Sequence, residues 1–416
     1  MDDLSIIDDI YQYFNDEPEA DNYERQVADT ARNVSQKKLK VEQLCQSEEQ
    51  LVHELGAFQK YYLVPLQRWT QEASNSELFA KYPQLCSQIA IEDLDRQISN
   101  ILAVHRQFLN EFKERLDMWG PTQFISDIFG NFHEKLSVYE PLLNSYPSTI
   151  VTFYTLYSRS SSFVKFLELS MLKSDTPMRE LLYYLKNPVQ RLTSYASSLS
   201  HLISVTEPSH PDYRALIHTR DKFAYYEKKH QRLIKDRLGH IRALEASRSV
   251  VGSPAMVTSS RRLYITGQLI RVDLSDPQST QDTRTYLLYN DYFFFCQKIK
   301  PKQTKHQYKG LINLRNADIF PLSPQTIHKI THAKKPSALA AAFKRNKADS
   351  IVPQNIYGFQ LATHEVSPEN SSGTVLPGSS VCSGVPTPNI NLGKHQFVMR
   401  TQTEAEQNAW IYLLKK

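Results

Sequence analysis

The sequence predicts a multidomain α + β protein: an elongated all-α helical bundle over residues 31–248, then a β-sandwich or barrel over 261–416 with a C-terminal capping helix. Three observations predict it. Apolar residues recur at three- and four-residue steps as far as Ala246, the spacing of one buried helix face. The composition then changes over 249–260, where V-G-S-P-A-M-V-T-S-S reads as a linker. Beyond it the period becomes that of strands, and the chain ends in T-E-A-E-Q-N-A-W-I-Y-L-L-K-K, a helix with Thr403 as N-cap and Trp410 on its apolar face.

At 416 residues the chain is long enough for two cores. Its 41% hydrophobic and 22% charged residues are those of a soluble globular protein. No apolar run approaches the roughly 18 residues of a membrane helix, and the start, M-D-D-L-S-I-I-D-D-I, is acidic where a signal peptide is basic. Four scattered cysteines, Cys45, Cys86, Cys296 and Cys382, make neither a metal set nor a disulfide framework, which points to a reducing, cytoplasmic location. The net charge of +5 is unevenly spread: the first two dozen residues are acidic, whereas 298–309 and 329–347 are basic. A basic C-terminal domain fits an anionic surface.

Residues 1–30 read as an acidic, disordered leader, with a short docking helix around Ile6, Ile10 and Phe14 as the alternative. From about Gln26, Val41, Cys45, Leu51, Leu55, Phe58 and Tyr62 mark a long helix, and Glu48 is placed on its polar side. Ile91 to Met118 is the next helix, ended by Trp119-Gly120-Pro121. It carries His105, which has no carboxylate or cysteine motif near it and reads as a packed, hydrogen-bonded histidine. Helices follow over Ile125 to Tyr146 and Thr149 to Leu172. Pro188 then marks a helix start, with Asn187 as N-cap and Met178 to Lys186 a separate short helix. A final long helix runs from Pro211 to about Ala246. In the second domain, Tyr264 to Val272 and Arg284 to Ile299 are strands with Asn290-Asp291 at a turn. Further strands are Lys309 to Pro321, Tyr357 to Thr363 and His395 to Thr401, interrupted by insertions at 327–353 and 365–392, the second a mobile loop.

Three stretches carry a resemblance. K-V-E-Q-L-C-Q-S-E-E-Q-L-V-H-E-L contains the Ser47-Glu48 pair and Leu55, with Leu51 where an aromatic is usual; I-x-x-I-L-A-V-H-R-x-F-L lies in the second helix; L-x-x-P-V-Q-R-L-x-x-Y precedes T-E-P-S-H-P-D-Y-x-x-L. Together they resemble the three conserved regions of the Dbl-homology (DH) domain, the helical unit of guanine-nucleotide exchange factors for Rho-family GTPases. Y-L-L-Y-N-D-Y-F-F-F-C and Trp410 resemble a pleckstrin-homology (PH) domain, so the resemblance covers about 30–416 in the usual DH–PH order.

The resemblance implies binding rather than bond-making chemistry, with no catalytic residues, cofactor or metal. An exchange factor binds the nucleotide-free GTPase more tightly than the nucleotide-bound one, and linkage makes it weaken nucleotide affinity by the same factor. It carries over Glu48 to hold the first switch, and Gln190 and Arg191 to pack on the second, supported by Ser47, Leu55, Pro188, Leu192 and Tyr195. Two departures stand: Ser194 replaces a usual Lys or Arg, and Gln231 stands where relatives use a late-helix asparagine. The leading expectation is an exchange factor acting on a Rho-family GTPase at the plasma membrane or cell cortex. The alternatives are a DH–PH scaffold that binds GTPase or polarity proteins without exchange, and a membrane adaptor. Lys298, Lys300, Lys302, Lys305 and Lys309 are the expected contacts to anionic lipid. Nucleic acid is not an expected partner, because the tyrosines of 298–308 fit strands better.

Overall fold

Helix α1, Glu17–Phe58, has no glycine before Gly56, and its lone proline, Pro18, sits in the first turn where a missing N–H costs nothing. Forty-two residues at 1.5 Å each give a rod of about 63 Å. The computed structural model describes residues 17–416 apart from 173–177, 274, 278, 300–304, 332–355 and 364–394. The acidic stretch expected as a disordered leader is therefore helical from Glu17 onward, and its first 16 residues lie outside the described ones.

Beyond Phe58 the helix widens into one π turn, Gln59–Leu63, before α2, Val64–Gln71. Pro65 explains the widening. It has no N–H for the preceding turn, and Val64 N–H reaches back to Gln59 instead. Short α3, Ala73–Lys81, leads to α4, Gln88–Asp117, which is capped by Ser87, whose hydroxyl accepts the Ala90 N–H at 3.2 Å. Helices α5, Ser126–Glu134, α6, Tyr139–Arg159, and α7, Ser161–Leu172, complete the middle of the bundle.

Asp212 fixes the start of α5. Its buried carboxylate accepts the N–H groups of Ile125 at 2.7 Å and Ser126 at 3.3 Å, satisfying donors that a helix N-terminus leaves open. Among the described residues the core includes Phe108, Phe129, Phe132, Tyr195 and Phe223, with Phe108 and Phe132 stacked at 4.3 Å.

The segment around Pro188 departs from expectation. Helix α8 is Leu181–Arg191 and contains Pro188; the break comes after Arg191, and α9 is Tyr195–Ser204. Asn187 is no cap, for its amide donates to Glu54. The break has a local cause. The hydroxyls of Thr193 and Ser194 donate back to the carbonyls of Gln190 (2.9 Å) and Arg191 (2.8 Å), competing with continuation of the helix.

Helix α10, Tyr213–Ser249, crosses the division between two units, which falls after Ile241. Ala243 and Ala246, in its last turns, pack with Val250, Ala255, Leu263, Leu287 and Phe294 in the second unit. The stretch 249–260, expected as a linker, is thus part of that unit: β1, Val250–Val251, pairs in parallel with β5, His306–Ile312. Burying Ala255 and Val257 gives these residues a place that composition alone did not indicate.

The remaining strands are β2 Leu263–Arg271, β3 Thr283–Tyr289, β4 Phe293–Lys298, β6 Asp318–Pro321, β7 Tyr357–Thr363 and β8 His395–Thr401. They form one sheet in the order β1-β5-β4-β3-β2-β8-β7-β6, antiparallel except at β1. Strands from both halves of it meet in one core: Tyr286, Phe293 and Phe295 from one side, Phe359, Leu361 and Met399 from the other. Trp410 of α12, Glu404–Leu414, plugs that core at 2% exposure, and the Thr403 hydroxyl accepts the Glu406 N–H at 3.2 Å as expected of a cap. Helix α11, Pro324–Thr331, opens the first insertion; the rest of that insertion and the expected mobile loop at 365–392 lie outside the described residues.

Candidate functional site

Helices α1, α4, α6, α8 and α9 converge on one carboxylate. Glu48 is completely buried, which corrects its placement on the polar side of α1. The signal was present in the sequence: Val41, Glu48 and Leu55 are seven apart, so Glu48 belongs to the inward stripe. A buried charge must be paired, and every partner here is a donor. His105 Nδ1 donates to Oε1, while Arg191 Nη2 at 2.6 Å and the Tyr195 hydroxyl at 3.1 Å donate to Oε2. Burial opposes ionisation of Glu48, but His105 and Arg191 outweigh it and hold the carboxyl below its ordinary range.

Arg191 is clamped in turn. Its Nη1 donates to Ser47 Oγ at 2.8 Å and its Nε to the Tyr195 oxygen at 3.1 Å, with the guanidinium 4.8 Å from that ring's centre. Burial works against the guanidinium charge, yet Tyr195 and Glu48 together raise its pKa further. Burial, and then the Glu48 charge, pushes the Tyr195 phenol well above its usual value, so the phenol remains a donor. His105 is the packed histidine expected: it is fully buried, with Nε2 2.7 Å from the Tyr139 hydroxyl.

The structure thus gathers Ser47, Glu48, Arg191 and Tyr195, which lie about 140 residues apart in sequence, into one cluster. Leu55, Pro188 and Leu192 are buried beside these positions on α1, on α8 and just beyond α8. Gln190 is exposed at the end of α8, and Ser194 is half-buried in the turn that bends the chain. Gln231 is exposed on α10, eight residues and so about 12 Å along the helix from Phe223, whose ring lies 5.4 Å from that of Tyr195.

Sequence reasoning missed two contributors. Tyr139 has no motif to announce it. Glu54 accepts the Tyr183 hydroxyl at 2.9 Å and the Asn187 amide, tying α1 to α8 nearly two turns beyond Glu48. His210 and Asp212, matched as motif residues, are structural. His210 Nε2 lies 2.8 Å from the buried Lys37 amine, which donates to the Gln123 carbonyl at 2.9 Å.

In the second unit, Lys298, Lys305 and Lys309 are exposed, and Lys300 and Lys302 lie outside the described residues. The arginines flanking the β2–β3 connection are engaged. Arg284 pairs with Asp282 and stacks over Phe295, and Arg271 lies over Phe397. Among the described residues no helix is long and apolar enough to cross a membrane.

A helical unit that locks a Ser-Glu motif against a P-V-Q-R segment, followed by a sheet plugged by a C-terminal tryptophan, defines a DH-type bundle joined to a PH-like domain. Residues 40–229, a little under half of the chain, match the RhoGEF domain, so the helical unit carries a RhoGEF domain. Over 252 residues it is 23% identical to human "Rho guanine nucleotide exchange factor 4", covering 58% of this chain and 35% of that protein. It is 24% identical over 204 residues to "Kinase and exchange factor for Rac B" of Dictyostelium discoideum, covering 48% and 18%. The chain therefore spans about a third or less of the length of these relatives. Among solved structures, the DH/PH domains of PDZ-RhoGEF in complex with GTP-gamma-S activated RhoA align over 92% of this chain and 93% of that one, at 14% identity and a TM-score of 0.44. A Vav1 exchange factor structure aligns over 92% and 82%, at 16% identity and a TM-score of 0.41.

Proposed function

We propose that the chain accelerates GDP release from a Rho-family GTPase through the face formed by α1, α8 and α10. The observation that carries this reading is the Glu48–Arg191 pair, which joins two motifs of the RhoGEF domain into one rigid surface. Ser47 and Gln190, next to the pair in sequence, are exposed, as is Gln231 on α10, and Arg191 reaches the surface with 15% of its side chain. Exchange is differential binding, so a surface fixed in the free protein loses little entropy on meeting the nucleotide-free GTPase. The test is release of a fluorescent GDP from a panel of Rho, Rac and related GTPases.

The complete burial of Glu48, together with Ser194 in place of a cation, favours a second reading: a scaffold that binds the GTPase without releasing nucleotide. Saturable binding with no change in release rate would establish the scaffold instead. The PH-like domain places the protein on the anionic cytoplasmic face of the plasma membrane. Lys298, Lys305 and Lys309 support this, at about 1 kcal/mol for each basic residue near the bilayer. The engagement of Arg271 and Arg284 supports weak binding with little preference among phosphoinositides.

A further inference from the structure

We propose that His105 and Tyr139 are positioning residues for the exchange surface: they fix the Glu48 carboxylate, which in turn holds Arg191 in a single presentation. The inference rests on the exchange reading above and names the inner layer that the reading requires. Arg191 is the one member of the cluster that both bonds Glu48 and reaches the surface, and a free arginine side chain samples many rotamers. Three of its five N–H groups are held, by Tyr195, Ser47 and Glu48. Among the described residues the other two have no acceptor, which leaves them for a carbonyl or carboxylate on a partner. That presentation depends on where Glu48 sits, and Glu48 is held from behind. Its Oε1 receives only His105 among the described bonds, and the ring of His105 is set by Tyr139 on α6 and packed edge-on to Phe132 at 5.1 Å. Nδ1 donates because it faces a carboxylate, and Nε2 lies 2.7 Å from the Tyr139 hydroxyl. A chain of bonds therefore runs from α6 through α4 and α1 to the surface of α8, with no exposed group before Ser47 and Arg191.

Three variants of the full chain test this. His105→Leu removes the donor, His105→Asn keeps an N–H toward Glu48, and Tyr139→Phe removes only the hydroxyl. Arginine-labelled NMR, with Arg191 assigned through Arg191→Lys, reads the exchange of the Arg191 Nε–H with water and needs no GTPase. Release of fluorescent GDP at saturating chain, counted per folded molecule from the thermal transition, reads function. His105→Leu is expected to speed Nε–H exchange and to slow GDP release, each by roughly tenfold or more. His105→Asn should stay within about threefold of the parent in both, and Tyr139→Phe should fall between. The proposal is overturned if folded His105→Leu keeps a protected Nε–H, or loses that protection with release unchanged. It is also overturned if His105→Asn falls as far as His105→Leu, which would make the ring's packing the whole effect. Should the parent chain release nucleotide from no GTPase, the exchange reading fails, and the Nε–H comparison alone decides whether His105 positions Arg191.

Discussion

Replacing Glu48 by alanine should unfold the helical unit more easily, against the small cost expected of an exposed glutamate. The substitution deletes three donor contacts to one carboxylate and strands the donors unequally. Arg191 retains a route to water, but His105 and Tyr195 are 0% and 2% exposed and have none. Breaking a buried ion pair by removing one partner costs about 3–5 kcal/mol, and the freedom of Arg191 places this site toward the lower end. For a unit of this size that corresponds to a fall in Tm of about 6–15 °C. Glu48→Gln keeps the volume but faces donors with its own amide, and should cost about 2–3 kcal/mol. Urea denaturation followed by helix circular dichroism measures both. The sign of the pH dependence follows from a carboxyl held below its ordinary range: its contribution is fully present above the unfolded pKa, about 4.3, and is lost as pH falls through the lower folded value. The gap between parent and Glu48→Gln should therefore be constant from about pH 5.5 to 7.5 and close in stronger acid. A Glu48→Ala protein within about 1 kcal/mol of the parent would refute the buried-network reasoning.

Burial lowers the pKa of Lys37 to about 8, against a smaller opposing effect of Asp212, with His210 and Trp119 also facing the amine. The unfolded chain then binds more protons between pH 8 and 10, so stability relative to Lys37→Met should rise across that window in urea titrations. Asp212→Ala leaves the Ile125 and Ser126 N–H groups without their acceptor and should cost about 1–3 kcal/mol by the same measurement. Gly358→Ala would put a Cβ 2.1 Å from the Met399 carbonyl oxygen, so the β7–β8 pair must separate; loss of the second unit's thermal transition, or of about 2 kcal/mol or more, is expected. Co-sedimentation with liposomes should show weak binding to anionic lipid that high salt removes, whereas tight binding to one phosphoinositide that survives salt would contradict the proposed surface role of Lys298, Lys305 and Lys309.

Local patterns carried the sequence a long way. The strands Tyr357–Thr363 and His395–Thr401, the Asn290-Asp291 turn, the Thr403 cap and the buried Trp410 all follow from neighbours in the chain, and all stand where expected. Four of the motif residues, Ser47, Glu48, Arg191 and Tyr195, also meet in space. Their roles were less legible. Whether Pro188 begins a helix or lies inside one turns on where two hydroxyls find carbonyls, a contest that one-dimensional spacing does not score. Whether 249–260 is a linker depends on a sheet edge and a core that exist only once β5 is in place. Glu48 is the sharpest instance. Its residue type predicts water, and only the arrival of His105 and Arg191 from other helices supplies the donors that make burial of its charge favourable. Periodicity is a property of one segment, whereas pairing a buried charge requires groups from several, so the sequence determined which segments are helix and strand and tertiary structure alone decided which side chains pair.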